Sequence, residues 1–340
     1  MKTLEQIAES TGVSVSTISR VLHGRDDVNA DTRERVLNEL RRAQYSLDSK
    51  PTRRGRPSLR DRKTKRMAIV CHSHAEVRRN PFSAPILTAA LEAGGPLGAE
   101  MSSVDWPSEH TTPEALGECD AVISIGGIGA TSQLQALAAR MPVVTVDCYL
   151  PGLGADGVVP DYRGGAFEAV SALLQAGHTR IALTTAARVA GDGFEAQIYD
   201  GARRALDLAG VQPFEQFVAG YAATPEDGYA MGQRLLNVAA EKRPTALFGS
   251  DHGILGALRA AHDLKLRVPE QLALVGVDDI ELGRYSVPRL STVRVDKEAL
   301  ARSAVERALW RILNPRAAVC RLVIDCQFIR RDSCGTKLKD

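Results

Sequence analysis

Apolar residues recur at helical spacing in three short stretches at the start of the chain, and from residue 67 onward strand-length apolar runs alternate with longer helical stretches. In the first stretch Leu4, Ile7 and Ala8 share one face, after a Thr3/Gln6 spacing that suits a capping box. Gly12 breaks that helix, and Ser14 can cap a second, with Val15, Ile18, Val21 and Leu22 as its apolar positions and Ser16, Thr17, Ser19 and Arg20 as its polar ones. A third helix, capped by Asn29 or Asp31, carries Val36, Leu37 and Leu40. Two short helices joined at a glycine turn and buttressed by a third predict a helix-turn-helix.

The later runs, Met67–Cys71, Ala121–Ile125, Val143–Asp147, Ile181–Thr184, Ala246–Phe248, Leu272–Val277 and Val319–Ile324, read as strands. Between them Pro85–Ala93, Ser132–Arg140, Gly165–Ala176, Ala196–Ala209, Glu226–Ala240 and Gly253–Asp263 read as helices. Alternation at this spacing predicts an α/β body of parallel sheets with helices on both faces. Ligands of such sheets sit beyond the carboxyl ends of the strands.

Charge divides the chain where the periodicity does. Residues 1–66 hold 16 Lys/Arg against 9 Asp/Glu, whereas the remainder holds 27 against 32. The densest stretch, 49–66, has nine basic residues and Asp61 as its one acid. A basic head on an acidic body marks a nucleic-acid partner. No apolar run of about 18 residues predicts a membrane span, and the N-terminus lacks the apolar core of a signal peptide, so a cytoplasmic protein with no membrane partner is expected. The six cysteines form no C-x-x-C pair and read as reduced thiols.

The string Thr3-Leu4-Glu5-Gln6-Ile7-Ala8, then Gly12 to Leu22, Val28 and Thr32-Arg33, resembles the headpiece of the lactose-repressor (LacI/GalR) family. The resemblance implies a transcription regulator whose second helix enters the major groove of a double-stranded DNA operator. Base edges then fall to Val15, Ser16 and Arg20, with Arg20 suited to guanine O6/N7 and Val15 to a thymine methyl. Ser14, Thr17, Ser19 and Asn29 fall to phosphates, which fix register. Relatives continue with Tyr-x-Pro-Asn and a hinge helix that wedges a leucine into the minor groove. Here Tyr45 is followed by Ser46-Leu47-Asp48, and Pro51, Gly55 and Pro57 oppose a helix. Arg54-Gly55-Arg56-Pro57 instead resembles an AT-hook, which lays arginines in a narrow minor groove. Leu59 is left as a wedge, and a flexible tether touching phosphates is the alternative.

In the body, Asn80-Pro81-Phe82, Asp120-Ala121-Val122-Ile123, Gly177-His178, Ser250-Asp251, Val275-Gly276-Val277-Asp278-Asp279 and Pro288 to Val293 resemble the regulatory domain of the same family. That resemblance implies a two-lobed, periplasmic-binding-protein-like (type I) fold. The expected division is a DNA-binding domain at 1–48, a basic linker or hinge at 49–66, and an effector-binding and dimerisation domain at 67–340. One lobe is expected to span 67–159 plus about 290–319, the other about 160–289 plus the C-terminal strands. The family's effector positions match Phe82, Asp147, Tyr221 and Asp251. Ile198 stands where relatives place an effector-holding arginine, leaving Arg188 or Arg163 to compensate.

These readings imply a repressor that binds a pseudo-palindrome as a homodimer and answers to a polyhydroxylated small molecule (a sugar, sugar derivative or nucleoside). The last nine residues carry no heptads, so no helical tail adds a tetramer. A regulator without an effector is the nearest alternative. A solute-binding transport protein lacks such a head. An enzyme with a DNA-binding head needs a catalytic constellation, and no nucleophile elbow, Ser/His/Asp pattern or full dinucleotide loop is seen, so no catalytic residue and no cofactor is expected. His72 and His74, with Asp147, Asp251 and His252, read as a polar cleft lining rather than a metal site. Trp310 reads as core.

Overall fold

The computed structural model describes residues 4–22, 28–42, 64–71, 73–106, 116, 119–125, 131–184, 193–211, 220 and 222–335. By contacts the chain divides into two units, Met1–Arg62 and Lys63–Asp340.

The small unit has three helices, α1 (Leu4–Thr11), α2 (Val15–Leu22) and α3 (Ala30–Arg42). Gly12 ends α1 at φ +69°, a left-handed conformation that suits glycine, and its N–H reaches the Ala8 carbonyl at 2.9 Å. The Ser14 hydroxyl accepts the Thr17 N–H at 3.2 Å and starts α2. Asn29, rather than Asp31, caps α3 by accepting the Asp31 N–H at 2.9 Å. Ile7, Ile18, Val21, Val36 and Leu40 close a small core. Val15, expected among the apolar positions of α2, stands outside that core and is 38% exposed.

The large unit runs β1 (Lys65–Cys71), α4 (His74–Arg79), α5 (Ser83–Gly94), β2 (Ala99–Asp105), β3 (Ala121–Ile125), α6 (Thr131–Ala138), β4 (Val143–Val146) and β5 (Asp156–Pro160). It continues with α7 (Tyr162–Gln175), β6 (Ile181–Thr184), α8 (Phe194–Leu208), α9 (Pro225–Leu236), β7 (Ala246–Gly249), α10 (Asp251–Asp263), β8 (Ala273–Asp278), β9 (Ser291–Arg294), α11 (Lys297–Leu313), β10 (Arg321–Ile324) and β11 (Gln327–Ile329). Six strands form one sheet in the order β10-β5-β4-β3-β1-β2, and five form a second in the order β11-β9-β8-β7-β6. All pairings are parallel except β11 with β9.

Burial on both faces explains why the central strands are apolar throughout. In β7, Ala246 and Phe248 pack toward one core while Leu247 joins Ile254, Ala257 and Leu274 in another. Met67 and Ile69 of β1 likewise face one core, and Ala68 and Val70 the other.

Two expectations about the lobes are corrected. Strand β9, assigned to the first lobe, lies in the second sheet, and β10, assigned to the second, edges the first. The strands β2, β5, β9 and β11 were not expected, because their sequences are polar, short or interrupted by glycine and proline. Trp310 is half-buried rather than core, with the Arg307 guanidinium 4.0 Å from its ring centre.

Polar β5 belongs inside because its acid is paired. The fully buried Asp156 carboxylate accepts from Arg307 Nε at 2.8 Å and from the Cys320 N–H at 2.7 Å, with Arg311 Nε at 3.6 Å. These bonds tie α11 and the approach to β10 onto β5. Asp156→Ala leaves two arginines and a backbone donor without their acceptor. Urea unfolding is expected to show a loss of about 3–5 kcal/mol, and a loss under about 1 kcal/mol means that solvent replaces the carboxylate.

Candidate functional site

In the small unit the helical period turns Ile18 and Val21 into the core and leaves Val15, Ser16 and Arg20 exposed on α2. Ser14 bonds the hydroxyls of Ser16 at 2.7 Å and Thr17 at 2.9 Å, so Ser16, expected to read bases, and Ser14 and Thr17, expected to grip phosphate, share one helix start, while Arg20 lies in the last turn of α2. Asn29 is exposed at the cap of α3. The Ser19 side chain and all of Arg54, Gly55, Arg56 and Leu59 lie outside the described residues.

In the large unit the chain passes between the sheets three times, from β5 to α7, from β9 to α11, and from β10 to β11. The first two passages are capped by acids. Asp161 accepts the Gly164 N–H at 2.9 Å, and Asp296 accepts the Ala299 N–H at 2.9 Å. Each cap delivers the first residue of its helix to the opposite lobe. The Tyr162 hydroxyl donates to Asp147 Oδ1 at 2.8 Å, from α7 to the end of β4. Lys297 Nζ donates to the main-chain carbonyl of Asp278, from α11 to the end of β8. The same ammonium lies 5.4 Å from the ring centre of Phe82. Phe82 is held there by Asn80, whose Oδ1 accepts the N–H groups of Phe82 and Ser83 at 2.8 and 3.2 Å.

Backbone strain sits at the same place. Asp147 adopts φ +65° and Asp278 φ +113°, conformations that carry a cost for a residue with a Cβ. Asp279, at φ +49°, turns away from its neighbour into a cluster of guanidinium groups. It accepts from Arg294 at 2.8 Å, from Arg284 at 3.1 Å and from Arg331.

Burial pushes the Asp147 carboxyl up to about 7, against the Tyr162 hydroxyl and the Lys297 charge that favour its ionised form. Burial also raises Asp278 well above the ordinary carboxylate range, with Asp251 adding repulsion and Lys297 opposing it. The Lys297 ammonium is itself lowered by burial, although Asp278 and Asp251 hold its proton. Asp279 goes the other way: burial raises it, but the arginines outweigh that and bring it to about 2.

The expected effector residues separate. Phe82 and Asp147 are each related to Lys297, Phe82 through its ring and Asp147 through its charge, and Asp147 is half-buried. Asp251 is corrected: it is fully buried, its Oδ1 accepting the Thr292 hydroxyl at 2.7 Å and its Oδ2 the Ile280 N–H at 2.8 Å. Its carboxylate locks α10 to β9 and the turn after β8, instead of offering free acceptors. Burial leaves it raised to about 7. Arg163 does not compensate for Ile198; it is exposed and paired with Asp200 at 3.2 Å. Tyr221, Arg188 and His72 lie outside the described residues. Sequence reasoning missed Tyr162, Asp278 and Lys297. Asp278 stood in a quoted string, and the helix-capping acids before Tyr162 and Lys297 were the available signal. Among the described residues no group of three or more His, Cys, Asp and Glu is placed to hold a metal, and no helix is long and apolar enough to cross a membrane.

The shifts give stability a pH dependence whose sign differs between the acids. Asp147 and Asp251 bind protons in the folded chain up to about pH 7 and in the unfolded chain only to about 4, so stability falls as pH rises through that window. Asp279 contributes stability above about pH 4, and that contribution is lost as pH falls toward about 2. In thermal melts without ligand, Asp147→Asn is expected to lose less stability than the natural chain between pH 5 and 8, the decline in that window being smaller in the variant. A decline of unchanged size in that variant removes Asp147 as a contributor.

Comparison with known proteins finds matches for both units. Residues 3–46 match the bacterial regulatory proteins of the lacI family, and residues 170–334 match the periplasmic binding protein-like domain. The chain is 30% identical over 353 aligned residues to the ribose operon repressor of Haemophilus influenzae, covering 98% of each chain. It is 30% identical over 330 residues to the HTH-type transcriptional repressor PurR of the same species, covering 92% of each. A solved structure described as a transcriptional regulator CelR–cellobiose complex matches with a TM-score of 0.69 at 27% identity, covering 98% of this chain and 100% of that one. These relatives are regulators rather than enzymes, and the chain belongs to the LacI family of DNA-binding transcription regulators.

Proposed function

We propose that this regulator is a cytoplasmic repressor that binds a pseudo-palindromic operator as a homodimer and releases or grips it in response to a polyhydroxylated effector. One observation carries the effector reading: Phe82, Asp147, Tyr162, Asp278 and Lys297 come together where the carboxyl ends of the two sheets face each other. Carboxylates and a carbonyl accept from hydroxyls, and an aromatic face suits the apolar side of a sugar ring. The likeness to a regulator solved with cellobiose supports the same class. Asp251 acts behind the site, by fixing the turn that presents Asp278.

A dimer is supported by an apolar surface segment. Leu282, Tyr285 and Val287 are 58%, 76% and 91% exposed, and a two-fold pairing of this segment in two copies covers them. One helix-turn-helix reads a half-site, so the dimer matches a palindrome.

The DNA reading rests on the exposed face of α2, Val15, Ser16 and Arg20. Fluorescence anisotropy with an operator selected from random duplexes tests it. Arg20→Ala is expected to weaken binding by ~1–3 kcal/mol and to relax preference at one position in each half-site. A uniform loss across all sequences makes Arg20 a phosphate contact instead.

For the linker, Arg54 and Arg56 around Gly55 enter an A·T-rich minor groove at the operator centre, with Leu59 beside them. Replacing the central A·T steps by G·C with the half-sites held constant is expected to lower affinity, and Arg54→Ala with Arg56→Ala to flatten its salt dependence. Unchanged affinity after the G·C replacement leaves the linker as a tether.

A further inference from the structure

β10 is the last strand of the first sheet, and among the described residues β5 is the one strand that pairs with it. Its even-numbered residues bond inward: the Cys320 carbonyl accepts the Gly157 N–H at 3.0 Å and the Ile324 carbonyl the Asp161 N–H at 2.8 Å. Backbone groups alternate in direction along a strand, so those of Arg321 and Val323 point away from the sheet, and Asp325 continues the alternation. Sheet edges are ordinarily blunted by lysine, proline or a covering element. Here Leu322 and Val323 are 39% and 49% exposed, beside Val319 at 40%.

We propose that this edge pairs with the same edge of a second copy, antiparallel about a two-fold axis through Val323, so that the chain associates beyond its dimer without a helical tail. Charge complementarity selects both the occupant and the register. Centring on Val323 sets Arg321 of each copy opposite Asp325 of the other, on the face that carries Val323. Centring on Arg321 or on Asp325 opposes like charges instead. The same register brings Leu322 opposite Ile324 on the other face. Facing residues whose backbone groups point outward exchange two hydrogen bonds, which the Val323 pair and each Arg321 and Asp325 pair then do. Arg321 is positioned by its own sheet: its neighbour Gly157 has no side chain, Tyr149 packs over that glycine, and the guanidinium lies 6.0 Å from the Tyr149 ring centre. This edge belongs to the first sheet, whereas Leu282, Tyr285 and Val287 follow β8 of the second, so the two self-association surfaces are built on different sheets.

The paired segment is much shorter than the roughly 20–30 residues a side of a standard interface, so association is expected at about tens to hundreds of micromolar. Sedimentation equilibrium of the full-length protein without DNA tests it, from about 1 to about 300 µM. At the upper end the natural protein is expected to reach about twice the mass of Val323→Pro or more, because proline removes the outward N–H and leaves the bonds to β5 in place. Arg321→Glu alone and Asp325→Lys alone each oppose like charges, and each is expected to weaken association by about tenfold or more. Mixing those two variants in equal amounts sets opposite charges against each other at both contacts, and association is expected to return to near its natural strength. Misfolding of either variant is not repaired by mixing, so recovery identifies the pairing itself. Equal masses for the natural protein and Val323→Pro overturn the proposal, as does a mixture that associates no better than its components. The mass at the dilute end reports separately on the dimer.

Discussion

Charge enclosed between two sheets is the constraint on which the large unit depends. Carboxyl groups at the ends of parallel strands are ordinary, because helix N-termini and capping N–H groups gather there. Here the lobes bring Asp147, Asp251 and Asp278 close enough for the charge of Lys297 to bear on all of them. Burial makes each ionised carboxyl expensive, so each needs a specific compensation. Asp251 has a hydroxyl and a backbone N–H, Asp147 has the Tyr162 hydroxyl, and the Asp278 backbone takes the Lys297 ammonium. Adjacent acids can therefore have opposite fates. Asp278 is held above the carboxylate range by burial, while Asp279 one residue on is brought to about 2 by arginines.

The route of the chain converts that electrostatic arrangement into a device that can respond. Both bonds across the crevice start from the first residue of a helix that follows a passage between sheets. A rotation of one lobe against the other must stretch or remake those two bonds. The strained backbone at Asp147 and Asp278 sits at the receiving ends. A ligand that displaces or reinforces the bonds contacts the two lobe arrangements differently, which is the thermodynamic requirement for control. The paired Asp156 works on the other side of α11, holding it to β5, so that Lys297 moves with the first sheet.

The small unit follows a simpler rule. Its core uses five buried side chains from three helices, and the helical period does the rest. Positions that do not face that core are released from packing, and the exposed Val15 is an instance of this freedom.

Much of this was legible in the residues alone. The three helices, the caps at Ser14 and Asn29 and the buried face of α2 follow from spacing, because a helix repeats every 3.6 residues whatever surrounds it. The central strands were visible for a related reason, since burial on both faces demands unbroken apolar runs. The edge strands β2 and β11 and the polar strands β5 and β9 were not, and that led to exchanging β9 and β10 between the lobes. A polar residue such as Asp156 or Thr292 belongs in a sheet only when a partner distant in sequence meets it, and 151 residues separate Asp156 from Arg307. Site chemistry divided in the same way. Local strings marked Phe82, Asp147 and Asp251 as a group, but only the tertiary structure decided that Asp251 is consumed internally while Tyr162, Asp278 and Lys297 face the crevice. Periodicity reports which side of an element is buried, whereas the partner that a buried charge finds there depends on how the chain returns.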